Sequence, residues 1–370
     1  MSITTILFFV FIVVVGVQII FYLSFLFSFS AKRPETRLKK HVPVSVIICA
    51  KNEAKNLEQN LPFILNQDYS NFEVVLVNDS SSDGTLDVMK KFEAEYDNIK
   101  LVNVKTIEAF WGNKKYALTL GIKASKHNFL VFTDADCKPS SNKWLAHISS
   151  KFSNQKAIVL GYGAYAKKPF SFLNQLIRFE TVMTALQYFS YANLGMPYMG
   201  VGRNMAYRKE LFFNNNGFNG HISIKSGDDD LFINEVADNK NTALCFSKES
   251  FTISKPKTFF KDWILQKRRH ISTASFYKTK HKFLLGLFYS SQILFWCLGI
   301  LLLITTYNWQ WVIALIVLRF SIQLTSFGLT AKKLDDVNLI FLAPVLELFL
   351  ISTQLFIFIA NLISTPKHWK

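Results

Sequence analysis

Residues 129–136 read FLVFTDAD, a short apolar run that ends in two carboxylates, and residues 73–79 read EVVLVND. Aromatic and β-branched residues in such runs favour strands, so both runs are predicted strands. Asp134 and Asp136 follow one strand, and Asp79 follows the other. In open α/β sheets, ligands bind outside the carboxyl ends of the strands. These carboxylates are therefore expected at a binding site.

The pattern around these two runs predicts a soluble α/β region. From Pro43 to about Lys257, short β-branched runs alternate with longer mixed segments, which is typical of βαβ units. The predicted strands are Val44–Cys49, Glu73–Val77, Lys100–Val104, Phe129–Thr133 and Ala157–Gly161. The predicted helices are Glu53–Leu65, Thr85–Tyr96, Lys114–Ser125 and Trp144–Ser153. The aromatic-rich stretch Phe170–Leu194 suits either a core helix with a loop or an interfacial helix that faces lipid and acceptor.

Four apolar runs flank this region, and each is long enough to span a bilayer. They are Ile6–Phe29, Phe283–Ile304, Trp311–Leu329 and Val337–Ile363. No basic region precedes the first run, and the run is too long for the core of a signal peptide, which favours an uncleaved anchor. For one of the three C-terminal runs, a tilted or interfacial helix is the alternative.

Basic residues next to these runs predict their orientation through the positive-inside rule. They follow the first run, precede the second and occupy the loop before the fourth: Lys32, Arg33, Arg37, Lys39, Lys40, Lys278, Lys280, Lys282, Lys332 and Lys333. We therefore expect a multi-pass protein of the inner membrane, with a cytoplasmic soluble domain and both termini outside. The expected division is an anchor (1–30), a basic linker (31–42), the soluble domain (43–282), the C-terminal helices (283–363) and a tail (364–370).

Charge and cysteine content narrow the class of protein. The formal net charge of +16 suits basic flanks beside an anionic leaflet. Because the sequence has no basic patch interleaved with a recognition motif, no nucleic-acid partner is expected. The four cysteines lack the spacing of a metal site and are expected to be buried thiols.

Five sequence blocks in order resemble family 2 glycosyltransferases, which have the GT-A fold, a Rossmann-like mixed sheet flanked by helices. The blocks are VIICAKNE (46–53), VNDSS (77–81), DAD (134–136), GDDDL (227–231) and QKRRH (266–270). One such block would be a weak signal, but five in order over roughly residues 43–270 are a strong one. The resemblance implies metal-dependent, inverting hexosyl transfer from a nucleoside-diphosphate sugar.

The resemblance also implies where the donor binds. A divalent cation, Mg²⁺ or Mn²⁺, would be held by Asp136, because carboxylate oxygens suit hard cations. Lys114 matches a Gly-Lys-x-x-Ala-Leu block only approximately, and a solvated lysine is the equal alternative. A UDP-sugar is the favoured donor, with GDP-sugars also open. The expected donor-binding residues are Ala50, Asn52, Glu53, Asp79, Lys114, Asp134, Gln266 and Arg269.

The catalytic base is expected within residues 228–230. The family pattern has a Glu-Asp pair here, whereas this chain has three consecutive aspartates. Alignment on Leu231 makes Asp228 the base, and alignment on the pair makes it Asp229, with Asp228 narrowly favoured. Crowded like charges are expected to raise at least one of these pKa values, which suits a base. The acceptor region is expected at Gly202, Arg203, Asn204 and His270.

The acceptor is expected to be a membrane lipid or a lipid-linked sugar, because the domain lies between membrane segments. His270 stands where processive polysaccharide synthases have a tryptophan, which argues against a polymer-extruding synthase. A non-catalytic scaffold that binds nucleotide sugars is an alternative of another class, and a transporter is the least favoured. In the membrane part, Arg319 and Glu347 fall at similar depth, so a helix-locking ion pair is expected.

Overall fold

The computed structural model describes residues 2–32, 42–105 and 114–364. Most of the predicted basic linker (33–41) and of the tail (365–370) lies outside the described residues. The same is true of Gly112 and Asn113, which belong to the block around Lys114.

The soluble region contains a twisted mixed sheet and a small second sheet. The described strands are β1 (Val44–Ala50), β2 (Phe72–Asp79), β3 (Ile99–Val104), β4 (Phe129–Phe132), β5 (Cys137–Pro139), β6 (Ile158–Gly161), β7 (Gly163–Tyr165), β8 (Met205–Arg208), β9 (Thr242–Cys245) and β10 (Thr252–Ser254). The main sheet has the order β3-β2-β1-β4-β8-β6-β9, and the small one has β5-β10-β7. The predicted α/β class with a mixed sheet is confirmed.

The order of the main sheet brings three strand ends together. β1 runs parallel to β2 on one side and to β4 on the other, with Ala50 opposite Asn78 and Ile47 opposite Phe132. Because β1 lies between its two neighbours, the carboxyl ends of all three open at one edge of the sheet. β8 is antiparallel to β4, so the loop before β8 reaches the same edge.

Helices cover both faces of the sheet and continue into the membrane part. The helices are α1 (Ile3–Phe25), α2 (Ala54–Leu65), α3 (Thr85–Glu95), α4 (Lys114–Ala124), α5 (Trp144–Ser149), α6 (Phe172–Asn193), α7 (Lys209–Asn214), α8 (Asp230–Val236), α9 (Phe260–Thr273), α10 (Thr279–Ile304), α11 (Trp309–Lys333) and α12 (Ala343–Ile363). Alternate residues of β1 point to opposite faces, so Val46 and Ile48 pack with α2 while Ile47 packs with α4.

In the described part of the chain, four helices are long and apolar enough to cross a membrane: α1 with its π-helical extension to Ser30, α10, α11 and α12. The predicted start of the fourth at Val337 is wrong, because Val337–Leu339 forms a separate 3-10 turn. α12 begins instead at Ala343, where Pro344 occupies the first turn. Proline is favoured there because its missing N–H has no intrahelical partner at that position.

α1, α10 and α11 have two recognisable ends. At the end far from the soluble domain, the Thr5 and Tyr307 hydroxyls lie 2.8 Å apart. At the near end, Lys333 donates to the Phe29 carbonyl over 2.6 Å. Between them the predicted ion pair is present, with Arg319 Nη2 2.7 Å from Glu347 Oε1 and both side chains buried.

α6 joins the soluble domain to the membrane helices. Its middle is buried, as at Phe179 and Val182, and it contacts α1, α11 and α12. Of the two interpretations of residues 170–194, the core helix therefore describes the structure. Large exposed apolar side chains lie at the ends of this stretch, at Phe170 and Leu194, and also on or beside α9, at Phe259, Phe260 and Leu265.

Candidate active site

The turn after β1 is held against the turn after β2. Asn52 has a φ of 56°, a left-handed conformation that asparagine tolerates better than most residues. Its side-chain oxygen accepts a hydrogen bond from the Ser82 amide over 2.8 Å. The Glu53 amide donates to the Thr85 hydroxyl, also over 2.8 Å. These bonds fix the loop in which Ala50, Asn52 and Glu53 were predicted to bind the donor.

Asp79 is the last residue of β2, and one of its two carboxylate oxygens has no hydrogen-bond donor among the described residues. The residue is only 4% exposed, and its Oδ2 accepts no hydrogen bond from the described residues. Burial raises the pKa of this carboxyl above its ordinary value, against the opposing charges of Lys51 and Lys114. A buried acceptor without a donor is costly, so this position suits a ligand that brings an N–H group.

Asp134 and Asp136 lie where a cation can be held. Ligand atoms of these two residues and of Cys137 lie within 4.8 Å of one another. Burial and the charge of Asp134 raise the pKa of Asp136, which a bound cation would reverse. Burial and the Asp136 charge also raise the pKa of the Cys137 thiol, which stays neutral beside Ser254. The carboxylate oxygens therefore fit Mg²⁺ or Mn²⁺ better than a thiolate-seeking metal.

Lys114 is a buried cation between two predicted site carboxylates. Its Nζ lies 3.2 Å from Asp134 Oδ1 and 3.0 Å from Asp228 Oδ2. Burial alone would lower the pKa of Lys114, but these two carboxylates raise it well above its usual value. Of the two interpretations of this residue, the solvated lysine does not describe the structure.

Lys115, the next residue, has a role that the sequence did not indicate. It is fully buried, and its Nζ donates to the His221 and Ile224 carbonyls over 2.7 and 2.9 Å. Burial lowers its pKa to about 8, while the aspartates of residues 228–230 act in the opposite direction. Lys115 thereby anchors the loop that leads into these aspartates.

The three consecutive aspartates occupy three different environments. Burial favours protonation of Asp228, but Lys114 outweighs it and lowers the pKa of that carboxyl. Burial and the charges of Asp228 and Asp230 raise the pKa of Asp229 to about 7. The Gly202 amide donates to Asp229 Oδ2 over 2.7 Å, which orients this carboxylate. The pKa is thus raised at Asp229 and also at Asp230, in both cases by burial first and by neighbouring aspartates in addition.

Asp230 links α8 to the segment that leads into the membrane. Its Oδ2 accepts hydrogen bonds from the hydroxyls of Thr273 and Tyr277, the latter over 2.7 Å. Its Oδ1 accepts from the Leu231 amide over 2.8 Å. With these acceptors engaged, Asp230 holds the end of α9 in place and is not a candidate base.

The loop before β8 approaches the aspartates through its backbone. A Cβ on Gly202 would lie 3.2 Å from Asp229 Oδ2, so a larger residue would crowd this contact. Arg203 donates to the Ser254 hydroxyl over 3.1 Å and lies over the Tyr165 ring. Asn204 is fully buried and bonds the Tyr162 and Ser250 carbonyls. In this conformation the Asn204 side chain therefore cannot contact an acceptor substrate, as the sequence analysis predicted that it would.

α9 closes the site from the membrane side. Gln266, Arg269 and His270 line the cavity that contains the aspartates, whereas Arg268 points away toward α12. Lys267 pairs with Glu180 of α6 over 2.7 Å. His270 is exposed, and surrounding protein atoms together with the charges of Lys267 and Arg269 lower its pKa. His270 is thus neutral where it faces the cavity.

Most of the predicted site residues share one cavity of about 430 Å³, whereas Ala50, Asn52 and Asn204 do not line it. It runs from Asp79 past Asp136 and the residue 228–230 aspartates, and α12 contributes Gln354 to its wall. This volume lies within the range of typical small-molecule sites. A path therefore connects the strand ends with a membrane helix.

The family model of glycosyl transferase family 2 matches residues 45–213. This part of the chain is therefore similar to glycosyltransferase family 2. The chain aligns with glycosyltransferase AglE of Haloferax volcanii at 31% identity, over 46% of this chain and 51% of that protein. It aligns with cholesterol galactosyltransferase of Borreliella burgdorferi at 25% identity, over 47% and 50%. The chain thus spans about half the length of these curated relatives.

A solved structure shows that the likeness of fold extends beyond the family 2 match. The mannosyltransferase PcManGT from Pyrobaculum calidifontis, solved with GDP-Man and Mn²⁺, aligns with a TM-score of 0.60. The alignment covers 94% of this chain and 99% of that chain at 17% identity. The GT-A fold predicted for the family 2 region is confirmed.

The sequence analysis missed several residues of the cavity, and Glu180 and Gln354 are two of them. Glu180 is an acidic residue in an aromatic-rich helix, and Gln354 is an amide in an apolar one. Both line the cavity. A polar side chain in an otherwise apolar stretch was the available signal in each case, because such residues are costly unless they serve a site.

Proposed function

We propose that this chain is a glycosyltransferase that moves a sugar from a nucleoside-diphosphate sugar to a membrane-associated acceptor. One observation carries the proposal: a single cavity is lined by Asp79, Asp136 and Asp228 and also by Gln354 of α12. The carboxylates proposed to bind the nucleotide, the cation and the acceptor therefore line one cavity beside α12, which is long and apolar enough to cross a membrane. The proposed acceptor is a glycolipid or a lipid-linked sugar of envelope polysaccharide or glycolipid synthesis.

The donor would bind along the ends of β1, β2 and β4. Asp79 has the free acceptor that a base N–H or a ribose hydroxyl needs. Asp134 and Asp136 would hold Mg²⁺ or Mn²⁺, which neutralises the diphosphate and so supports departure of the leaving group. Gln266 and Arg269 line the same cavity, and the planar guanidinium suits phosphate oxygens. A UDP-sugar is the first donor to test, followed by GDP-sugars.

The reaction would be a single displacement. A carboxylate takes the proton of the acceptor hydroxyl as its oxygen attacks the anomeric carbon, and the bond to the diphosphate breaks on the opposite side. The new glycosidic bond then has inverted configuration, and the nucleoside diphosphate leaves with the electron pair. Residues 228–230 lie on the cavity wall where this proton can be accepted.

Asp228 and Asp229 are the two candidate bases, and their surroundings distinguish them. Asp229, with a pKa of about 7, is the better base in the donor-free site. Asp228 has Lys114 as its counter-ion, which lowers the pKa of Asp228. Asp228 becomes the stronger base once a donor diphosphate draws Lys114 away. The pH dependence of transfer separates these cases.

Two other functions are kept as alternatives. A processive synthase would use the same carboxylates, but His270 replaces the aromatic platform expected for a growing polymer. A scaffold that only binds nucleotide sugars would show metal-dependent binding without turnover. The relative named cholesterol galactosyltransferase supports transfer to a lipid acceptor.

The test is transfer from a panel of UDP- and GDP-sugars in a polar-lipid extract, with Mn²⁺ or with EDTA. The wild type should release nucleotide only with the metal, and Asp136→Ala should abolish this release. Product length separates single transfer from polymerisation. Nucleotide binding without release across the panel would support the scaffold, and release that Asp136→Ala leaves unchanged would overturn the metal site. Thiol labelling of the soluble domain in oriented vesicles tests its cytoplasmic placement.

A further inference from the structure

The two ends of α12 are both held by the soluble domain. Before the helix, Asp336 accepts a hydrogen bond from Arg178 Nε over 2.8 Å. At its end, Asn361 Oδ1 accepts from Arg268 Nε over 2.9 Å, and the Asn361 amide donates to the Arg268 carbonyl. A helix that crossed the bilayer would separate these two contacts by about 30 Å along the membrane normal.

Arg268 cannot lie on the far side of the membrane. It belongs to α9, whose Gln266 and Arg269 line the active-site cavity. Only a short connection separates the end of α9 at Thr273 from the start of α10 at Thr279. The far side is marked by the contact of Thr5 with Tyr307, at the opposite ends of the membrane helices. Asn361 is therefore on the side of the soluble domain.

Contacts between α12 and α10 also indicate that α12 runs toward the soluble domain. Glu347 accepts from Gln292 over 3.0 Å, whereas one turn later the Ile351 carbonyl accepts from Tyr289 over 3.1 Å. Because α10 leaves the soluble domain at Thr279, position 289 is nearer to the domain than position 292. Along its sequence, α12 thus moves toward the domain and not away from it.

We propose that the segment from Asp336 to the end of α12 is re-entrant: residues 337–342 descend into the membrane, and α12 returns from the depth of Glu347 to the side of the soluble domain. α1, α10 and α11 then remain as the spanning helices among the four candidates. This arrangement puts the end of α12 on the side of the soluble domain, in place of the outside C-terminus expected from the positive-inside rule.

A re-entrant α12 forms the membrane-side wall of the cavity. Gln354 lines the cavity, while Leu355, Phe356 and Phe358 of the same helix are exposed apolar residues that suit lipid. In this part the inference rests on the proposed function: a lipid-attached acceptor would slide along α12 and present its hydroxyl to the aspartates. The geometry of α12 itself does not depend on activity.

Thiol labelling in sealed vesicles tests the topology without any activity assay. Single cysteines are placed at Ser364, at Ser153 on the soluble domain and at Thr305 on the far side, in a Cys297→Ala background. The native Cys137 and Cys245 are buried, and burial raises the pKa of the half-buried Cys49, so these thiols react slowly. A membrane-impermeant maleimide should label Ser364→Cys together with Ser153→Cys. If Ser364→Cys is labelled only under the conditions that label Thr305→Cys, the proposal is wrong.

Depth measurement gives a second, independent readout. In a spanning α12, position 355 would lie about 18 Å from the helix start and so near the bilayer centre. A fluorophore on Leu355→Cys in phosphatidylcholine vesicles should be quenched more by a shallow spin-labelled lipid than by a deep one. Stronger quenching by the deep label would contradict the re-entrant helix, whether or not any sugar transfer is ever detected.

Discussion

The Lys114 ammonium lies 3.0 Å from a carboxylate oxygen of Asp228, which joins the start of α4 to the start of α8. Asp134 lies 3.2 Å away on its other side, so one buried cation serves two carboxylates. A diphosphate in the cavity would compete for this cation. Lys114 therefore sets the electrostatic state of the site before a donor binds.

Replacing Lys114 by methionine should destabilise the donor-free protein. Asp134 and Asp228 would lose their shared cation, and breaking a buried pair costs about 3 kcal/mol. The midpoint of thermal unfolding in detergent at pH 8 should fall by several degrees. The difference should shrink below about pH 4, because the lowered pKa of Asp228 contributes stability only while that carboxyl is ionised. Lys114→Arg is the matched control, and an unchanged midpoint in Lys114→Met would contradict the pairing.

The pH dependence of kcat/KM should identify the base. A base must be ionised, so with Asp229 in this role the rate should fall about tenfold per unit below pH 7. Asp229→Asn should then lose about 10²–10⁴ in rate together with this acidic limb. If Asp228→Asn removes the activity while Asp229→Asn keeps it, Asp228 is the base. Full activity in both variants would show that neither Asp228 nor Asp229 is the base.

Mn²⁺-dependent nucleotide binding should require the Asp136 carboxylate and not the Cys137 thiol. Calorimetry of UDP or GDP binding should show heat that depends on Mn²⁺ in the wild type and that disappears in Asp136→Ala. Cys137→Ser is the control, because the raised pKa of the thiol makes it a neutral neighbour and not a ligand. Loss of Mn²⁺-dependent binding in Cys137→Ser, with the fold intact, would show instead that sulfur holds the metal.

The hydrogen bonds of Asp230 should contribute to stability as one unit. Thr273→Val and Tyr277→Phe each remove one donor to the same carboxylate oxygen, which should cost about 1–3 kcal/mol. Because either donor alone still satisfies the shared oxygen, the double variant should lose more than the sum of the single losses. Thermal unfolding measures this coupling, with the exposed Ser275→Ala as control. Strict additivity would show that the two hydroxyls act independently.

Gln354 should affect the acceptor and not the donor. Gln354→Leu removes an amide from the cavity wall, and the loss of a hydrogen bond should lower transfer to lipid by about tenfold. Donor hydrolysis without acceptor should stay at the wild-type rate. Ser352→Leu, a similar change at an exposed position of the same helix, is the control. Equal transfer by both variants would exclude Gln354 from acceptor contact.

Local sequence patterns predicted the strands of the sheet well. The strand predicted over Glu73–Val77 is observed as Phe72–Asp79, and that over Val44–Cys49 extends by one residue. Both are short runs of strand-forming residues between turn residues, so the signal is contained in the segment itself. The ion pair of Arg319 with Glu347 was also predictable, because an isolated charge at that depth is costly.

Features that depend on distant segments were not predictable in this way. Asn204 reads as an exposed loop residue, but its amide bonds are made with residues 162 and 250. The start of α12 at Ala343 and the contact of its end with Arg268 also require packing between segments far apart in sequence. Hydropathy measures only the composition of such a helix and contains no information about its direction.

The loop between α11 and α12 is fastened to the soluble domain at several points. Asp335 pairs with Lys167 and Lys248 over 2.8 and 2.6 Å, and Asp336 is bonded by Arg178. A domain held in this way has a constant height above the bilayer, independent of its N-terminal linker. Under the proposed function, this fixed height would select acceptors by the distance between their reactive hydroxyl and their lipid anchor. This selection would act before any side-chain contact distinguishes one acceptor from another.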